Sequence, residues 1–161
     1  MALFTISDLH LSLSSDKPMD IFKGWTDYTQ RLAGNWNSIV GENDSVVIPG
    51  DISWAMNFEE AKKDFQFLHS LNGTKYILKG NHDYWWNGIT KLRDRAPDSS
   101  FVFLQTDAVR IDGYVIIGSR GWTCPGSPDF SEKDQKLYLR EAERFRLAFL
   151  DGESKRQEGD R

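Results

Sequence analysis

Three short clusters in this chain carry side chains able to ligate a metal ion or move a proton: Asp8-Leu9-His10, Gly50-Asp51 and Gly80-Asn81-His82-Asp83. Carboxylate and amide oxygens together with imidazole nitrogens suit Mn, Fe, Zn or Ni without deciding among them. In an extended strand end, residues at i and i+2 leave by the same face, so Asp8 and His10 are expected to hold one cation between them. The two oxygens of Asp51 are enough to bridge two metals, and Gly50 permits the tight backbone geometry before it. Asn81 offers a neutral oxygen ligand, and His82 stands where a helix is expected to open. Each cluster alone has a bland explanation, a polar strand exit or an Asn/His cap in a glycine turn. The three together point to a metal site.

Each cluster follows a short apolar run that reads as a buried strand: Leu3-Phe4-Thr5-Ile6, Val46-Val47-Ile48 and Tyr76-Ile77-Leu78. Between the runs the period becomes helical, with Tyr28, Leu32, Trp36 and Ile39 on one face and Phe58, Ala61, Phe65 and Leu68 on another. Strand, helix, strand, helix, strand implies parallel pairing. The carboxyl ends of such strands share an edge, where open α/β sheets bind ligands, so Asp8, His10, Asp51, Asn81 and His82 are expected to converge there.

Residues 84–96 are expected to form a third helix ended by Pro97. Asp112-Gly113 then signals a hairpin between apolar runs at 109–111 and 114–117, and hence a mixed or second sheet. Residues 118–130 read as a loop. Ser131 and Asp134 make a capping box for a last helix striped by Tyr138, Ala142, Phe145 and Phe149. Residues 153–161 contain no apolar side chain and are expected to fray.

A length of 161 residues with 39% hydrophobic and 27% charged content suits one globular domain, assigned to residues 1–152. No apolar run approaches the ~18 residues of a membrane span, and the first residues lack a basic secretory leader, so a cytoplasmic protein is expected. The one cysteine, Cys124, excludes an internal disulfide and a Cys-cluster metal site. A net charge of -4 provides no long-range positive field for bulk nucleic acid.

The three clusters, in this order and spacing, resemble the D-x-H, G-D and G-N-H-D motifs of the calcineurin-like metallophosphoesterase superfamily. Residues 7–11, 48–56 and 78–86, with Gly121-Trp122-Thr123-Cys124-Pro125-Gly126, look more narrowly like a group of bacterial predicted phosphohydrolases. The resemblance extends to about Phe149. It implies an αββα sandwich and metal-dependent hydrolysis of phosphate esters, by a hydroxide that bridges two divalent metals and attacks phosphorus. By that resemblance Asp8, His10 and Asp51 hold the first metal, Asp51 bridges to a second that Asn81 also binds, and His82 stabilises the transition state or protonates the leaving oxygen. Asp83 is expected to orient the His82 ring through a hydrogen bond.

The resemblance also implies three further histidine ligands, supplied by later motifs. The histidines here are His10, His69 and His82. His69 reads as a helix-end residue favourable to the macrodipole. The expectation is therefore the amino-terminal portion of such an enzyme, with a first metal site of three protein ligands, a second holding only Asp51 and Asn81, and little turnover. The alternative is a non-catalytic remnant that binds at most one metal or acts through protein contacts. Uncovered sheet and helix faces would then favour self-association. The tryptophans, including Trp54, Trp85 and Trp86, are assigned mainly to packing, Arg120 is a candidate phosphate contact, and Cys124 is read as structural.

Overall fold

In a computed structural model describing residues 1–161, β1 (Leu3–Thr5), β2 (Ser45–Ile48), β3 (Thr74–Ile77) and β4 (Phe101–Phe103) form one sheet in that order, every pair parallel. Thr5 pairs with Val47 and Ile48 with Ile77, so the carboxyl ends of the first three strands lie level to within a residue. The helices that alternate with these strands are α1 (Tyr28–Ile39), α2 (Phe58–His69) and α3 (Ile89–Arg95). α2 starts because the Asn57 side chain accepts the Glu60 N–H at 3.1 Å; Glu59 and Glu60 in its first turn and His69 in its last all suit its dipole.

Val46, Ile48 and Ile77 of the sheet pack with Trp36 of α1, with Phe58, Phe65 and Leu68 of α2 and with Leu92 of α3. Burying a large apolar side chain contributes about 1.5–3 kcal/mol, so this core holds the strand ends firmly. Lys75 of β3 is buried too, and its ammonium donates to the Leu71 carbonyl. Burial lowers its pKa to about 8, against the opposing pull of Asp98.

The third helix is shorter than its sequence pattern predicts, and His82 does not open it. Residues 81–86 form turns, with the Tyr84 N–H on the His82 carbonyl and the Trp86 N–H on that of Asp83. Trp85 and Trp86 thereby enter the core, and Gly88, at φ 97°, breaks the path before α3 begins.

Met1–Phe103 and Leu104–Arg161 form two compact units. In the second, β5 (Asp107–Ile111) and β6 (Tyr114–Gly118) make the expected antiparallel hairpin. Asp112 and Gly113 turn it with φ of 43° and 80°, the left-handed pair of a type I′ turn. α4 (Glu132–Lys155) opens with the expected Ser131/Asp134 capping box. Its buried face differs from the predicted stripe: Ala148 and Gly152 meet the hairpin, whereas Phe145 and Phe149 are 56% and 46% exposed. Close approach selects small residues, since a Cβ at Gly152 would stand 3.3 Å from the side chains of Val115 and Ile117.

The polar tail does not fray. α4 runs through Lys155, Asp160 is buried in a two-bond pair with Arg110 at 2.6 and 3.0 Å, and Arg161 exchanges backbone bonds with Gly113 and Val115. Polar contacts order this segment where apolar ones are lacking. No helix of the chain is long and apolar enough to cross a membrane.

Candidate metal centre

Beyond Thr5 the chain remains beside β2's continuation without staying extended. The N–H groups of Asp8, His10 and Leu11 donate to the carbonyls of Gly50, Asp51 and Ile52 at 3.1, 3.0 and 2.8 Å. Asp8, His10 and Asp51 all have left-handed backbones, with φ of 59°, 45° and 53°. For a non-glycine residue this conformation costs roughly 1–2 kcal/mol, and such strain gathers where geometry serves function. Asp8 and His10 thus reach one place through two left-handed residues, and the predicted strand alternation is replaced. The Tyr28 hydroxyl donates to the His10 carbonyl at 3.1 Å and holds that turn.

The second and third clusters meet through their glycines. A Cβ on Gly50 would lie 2.2 Å from the Gly80 nitrogen, and one on Gly80 would lie 2.0 Å from Asp51 Oδ1. This proximity lets the His82 N–H donate to Asp51 Oδ1 at 2.9 Å.

Asp83 has a different task from the one its position suggested. Fully buried, it accepts the N–H groups of Asp51 and Gly80 on Oδ2, each at 2.8 Å, and those of Ile52 and the Trp85 indole on Oδ1, each at 2.9 Å. Burial pushes its carboxyl pKa up and these donors pull it back. With its oxygens committed to these donors and, at 3.5 Å, to the Ser53 N–H, it ties the two loops together and does not orient the His82 ring, whose Nδ1 is buried without a hydrogen-bond partner.

Donor atoms of Asp8, His10 and Asp51 all lie within 4.8 Å of one another. His10 Nε2 is 3.7 Å from Asp8 Oδ1. Two ligands with bonds of about 2.1 Å to one ion can be at most about 4.2 Å apart, so small side-chain rotations would close the group on a cation. Two carboxylates and an imidazole form a donor set for Mn, Fe, Zn or Ni. The residues present fit a divalent metal. Asp51 is buried and the Asp8 side chain is 61% exposed, which leaves the group open on one side.

The His82 ring centre lies 6.0 Å from that of His10. Trp54 joins them: its ring stacks on His10 at 4.9 Å and 20°, and meets His82 at 4.9 Å and 52°. Asn81 is exposed, flanked by Gly80 and His82, both of which touch Asp51.

The profile of the calcineurin-like phosphoesterase family matches residues 1–158. The chain belongs to this family. An uncharacterized protein of Methanocaldococcus jannaschii is 29% identical over 129 residues, spanning 72% of this chain and 67% of the relative. The crystal structure of a protein of unknown function from Aquifex aeolicus aligns with a TM-score of 0.48 and 19% identity, over 88% of this chain and 75% of that one. Calcineurin-like phosphoesterases use divalent metals on phosphate esters, and Asp8, His10 and Asp51 are a group that could hold such a metal.

Arg120 belongs to the second unit, with its guanidinium 4.5 Å over the Trp122 ring, and Cys124 is exposed. His69 ends α2, 3.4 Å from Asp98. Trp85 and Trp86 are core, as expected, but Trp54 sits against the candidate site; its place three residues after Asp51 was the signal available. Tyr28 carried no such signal, since only the fold brings its hydroxyl to His10.

Proposed function

We propose that this chain holds a divalent cation with Asp8, His10 and Asp51 and hydrolyses phosphate esters, within the αββα arrangement of its family. The observation that carries the reading is the convergence of those three donors within 4.8 Å. A divalent cation bound there supplies Lewis-acid neutralisation of a phosphoryl group and acidifies water. Asp51, fixed through the His82 N–H and the Asp83 network, keeps its carboxylate aimed at the same space as Asp8 and His10. By the family resemblance, Asn81, next in sequence to Gly80 and His82, would offer its amide oxygen to a second cation shared with Asp51. The exposed side of Asp8 admits the ester, and His82 holds the proton for the leaving oxygen.

Mn2+ titration by calorimetry, followed by hydrolysis of chromogenic mono- and diesters, tests this. About one ion per chain should bind tightly, and Asp51→Asn should lose at least tenfold in affinity together with any Mn-dependent turnover. No Mn2+ uptake by the native chain, or unchanged uptake by Asp51→Asn, would sink the reading.

A further inference from the structure

We propose that Lys17 is a substrate-binding residue of this site, seated on the Trp54 indole so that its ammonium meets a phosphoryl oxygen. The inference rests on the functional reading above and adds the cation that reading lacks. Asp8 and Asp51 together balance a divalent metal ion, so the charge of a phosphate dianion still needs a partner from the protein.

Arg31, which lines a cavity with Asp8, and Lys79, next to Gly80, have other engagements. Arg31 donates to the carbonyls of Gly24 and Thr26 at 2.9 and 3.1 Å, and Lys79 donates to that of Trp86 at 3.3 Å. Lys17, in the segment between β1 and α1, is different. Its Nζ stands 4.5 Å from the centre of the Trp54 ring, and that ring lies 4.9 Å from both the His10 and the His82 ring centres. A cation over an indole face is attracted by the ring quadrupole while its N–H donors stay available to an oxyanion.

Trp54 is the positioning residue of the pair. Its main-chain N–H donates to the Leu11 carbonyl at 2.9 Å, and its indole N–H points to the Met19 sulfur at 3.3 Å. Those two contacts pin the indole beside His10 and hold the 12–27 segment, with Lys17 on it, against the site.

The test measures inorganic phosphate binding to the Mn2+-loaded full chain by calorimetry, alongside Mn2+ affinity and the kinetics of a chromogenic monoester. Lys17→Met should weaken phosphate binding about tenfold and raise KM by a similar factor, with Mn2+ affinity unchanged within twofold. Lys17→Arg should restore phosphate binding to within threefold of native. Trp54→Ala should copy the phosphate defect, and Trp54→Phe, which keeps an aromatic face, should recover most of it.

Native phosphate affinity in Lys17→Met overturns the assignment, as does an equal loss of Mn2+ affinity, because that would make Lys17 structural. If the native Mn2+-loaded chain binds no phosphate, the functional reading and this inference fall together. If it binds phosphate and Lys17→Met binds it equally, only the inference falls.

Discussion

Replacing Asp83 by Asn removes one acceptor oxygen from a buried knot while hardly changing its volume. Oδ2 accepts the N–H groups of Asp51 and Gly80, and Oδ1 those of Ile52 and the Trp85 indole. An amide in either orientation satisfies one pair and turns an NH2 toward the other. At least two buried N–H groups are then orphaned, at about 1–3 kcal/mol each, so the variant should lose ~2–6 kcal/mol. Against a typical total of about 5–15 kcal/mol, the loss is large but compatible with a folded protein. Urea unfolding should show a lower midpoint at similar slope, and Mn2+ affinity should fall because Asp51 and Gly80 no longer share an anchor. A stability change below about 1 kcal/mol with Mn2+ affinity intact would refute the anchoring role. Lost turnover with unchanged stability and metal affinity would return Asp83 to the side of the His82 ring.

Lys75→Met tests the buried ammonium. With its pKa lowered to about 8 from an ordinary 10.5, the native chain sheds this proton across that interval while the unfolded chain keeps it, so stability rises with pH from about 8 to 10.5. The stability difference between native and Lys75→Met chains should change by up to ~3 kcal/mol over that window, and a difference independent of pH would contradict it. Gly80→Ala places a Cβ 2.0 Å from Asp51 Oδ1 and should cost about 1–3 kcal/mol and most Mn2+ binding; native affinity in this variant would show that the two loops can part freely. Asp160→Ala should release the tail from Arg110 and speed amide exchange at Val115 and Arg161, so unchanged protection there would deny the ion pair its ordering role.

The residues able to ligate a metal, the parallel strands that end beside them, the hairpin at Asp112-Gly113 and the cap at Ser131 were legible in the sequence. They rest on residue type and local periodicity, which the chain carries wherever it folds. The shortened third helix was not, because residues 84–86 have helix-compatible side chains and only the demands of buried Asp83 and the two core tryptophans turn them away. The buried face of α4 was also hidden: hydrophobicity favours Phe145 and Phe149, whereas contact with the hairpin favours the small Ala148 and Gly152.

At the candidate site the division is the same. Sequence alone singled out Asp8, His10, Asp51, Asn81 and His82, since their chemistry travels with their identity. Tertiary structure alone decided the left-handed turns that aim three of them, the transfer of Asp83 from imidazole partner to loop anchor, and the place of Trp54 between two histidines. Those depend on which backbone N–H groups and rings lie close after folding. Packing of residues far apart in the chain sets that proximity, and no local pattern of side chains encodes it.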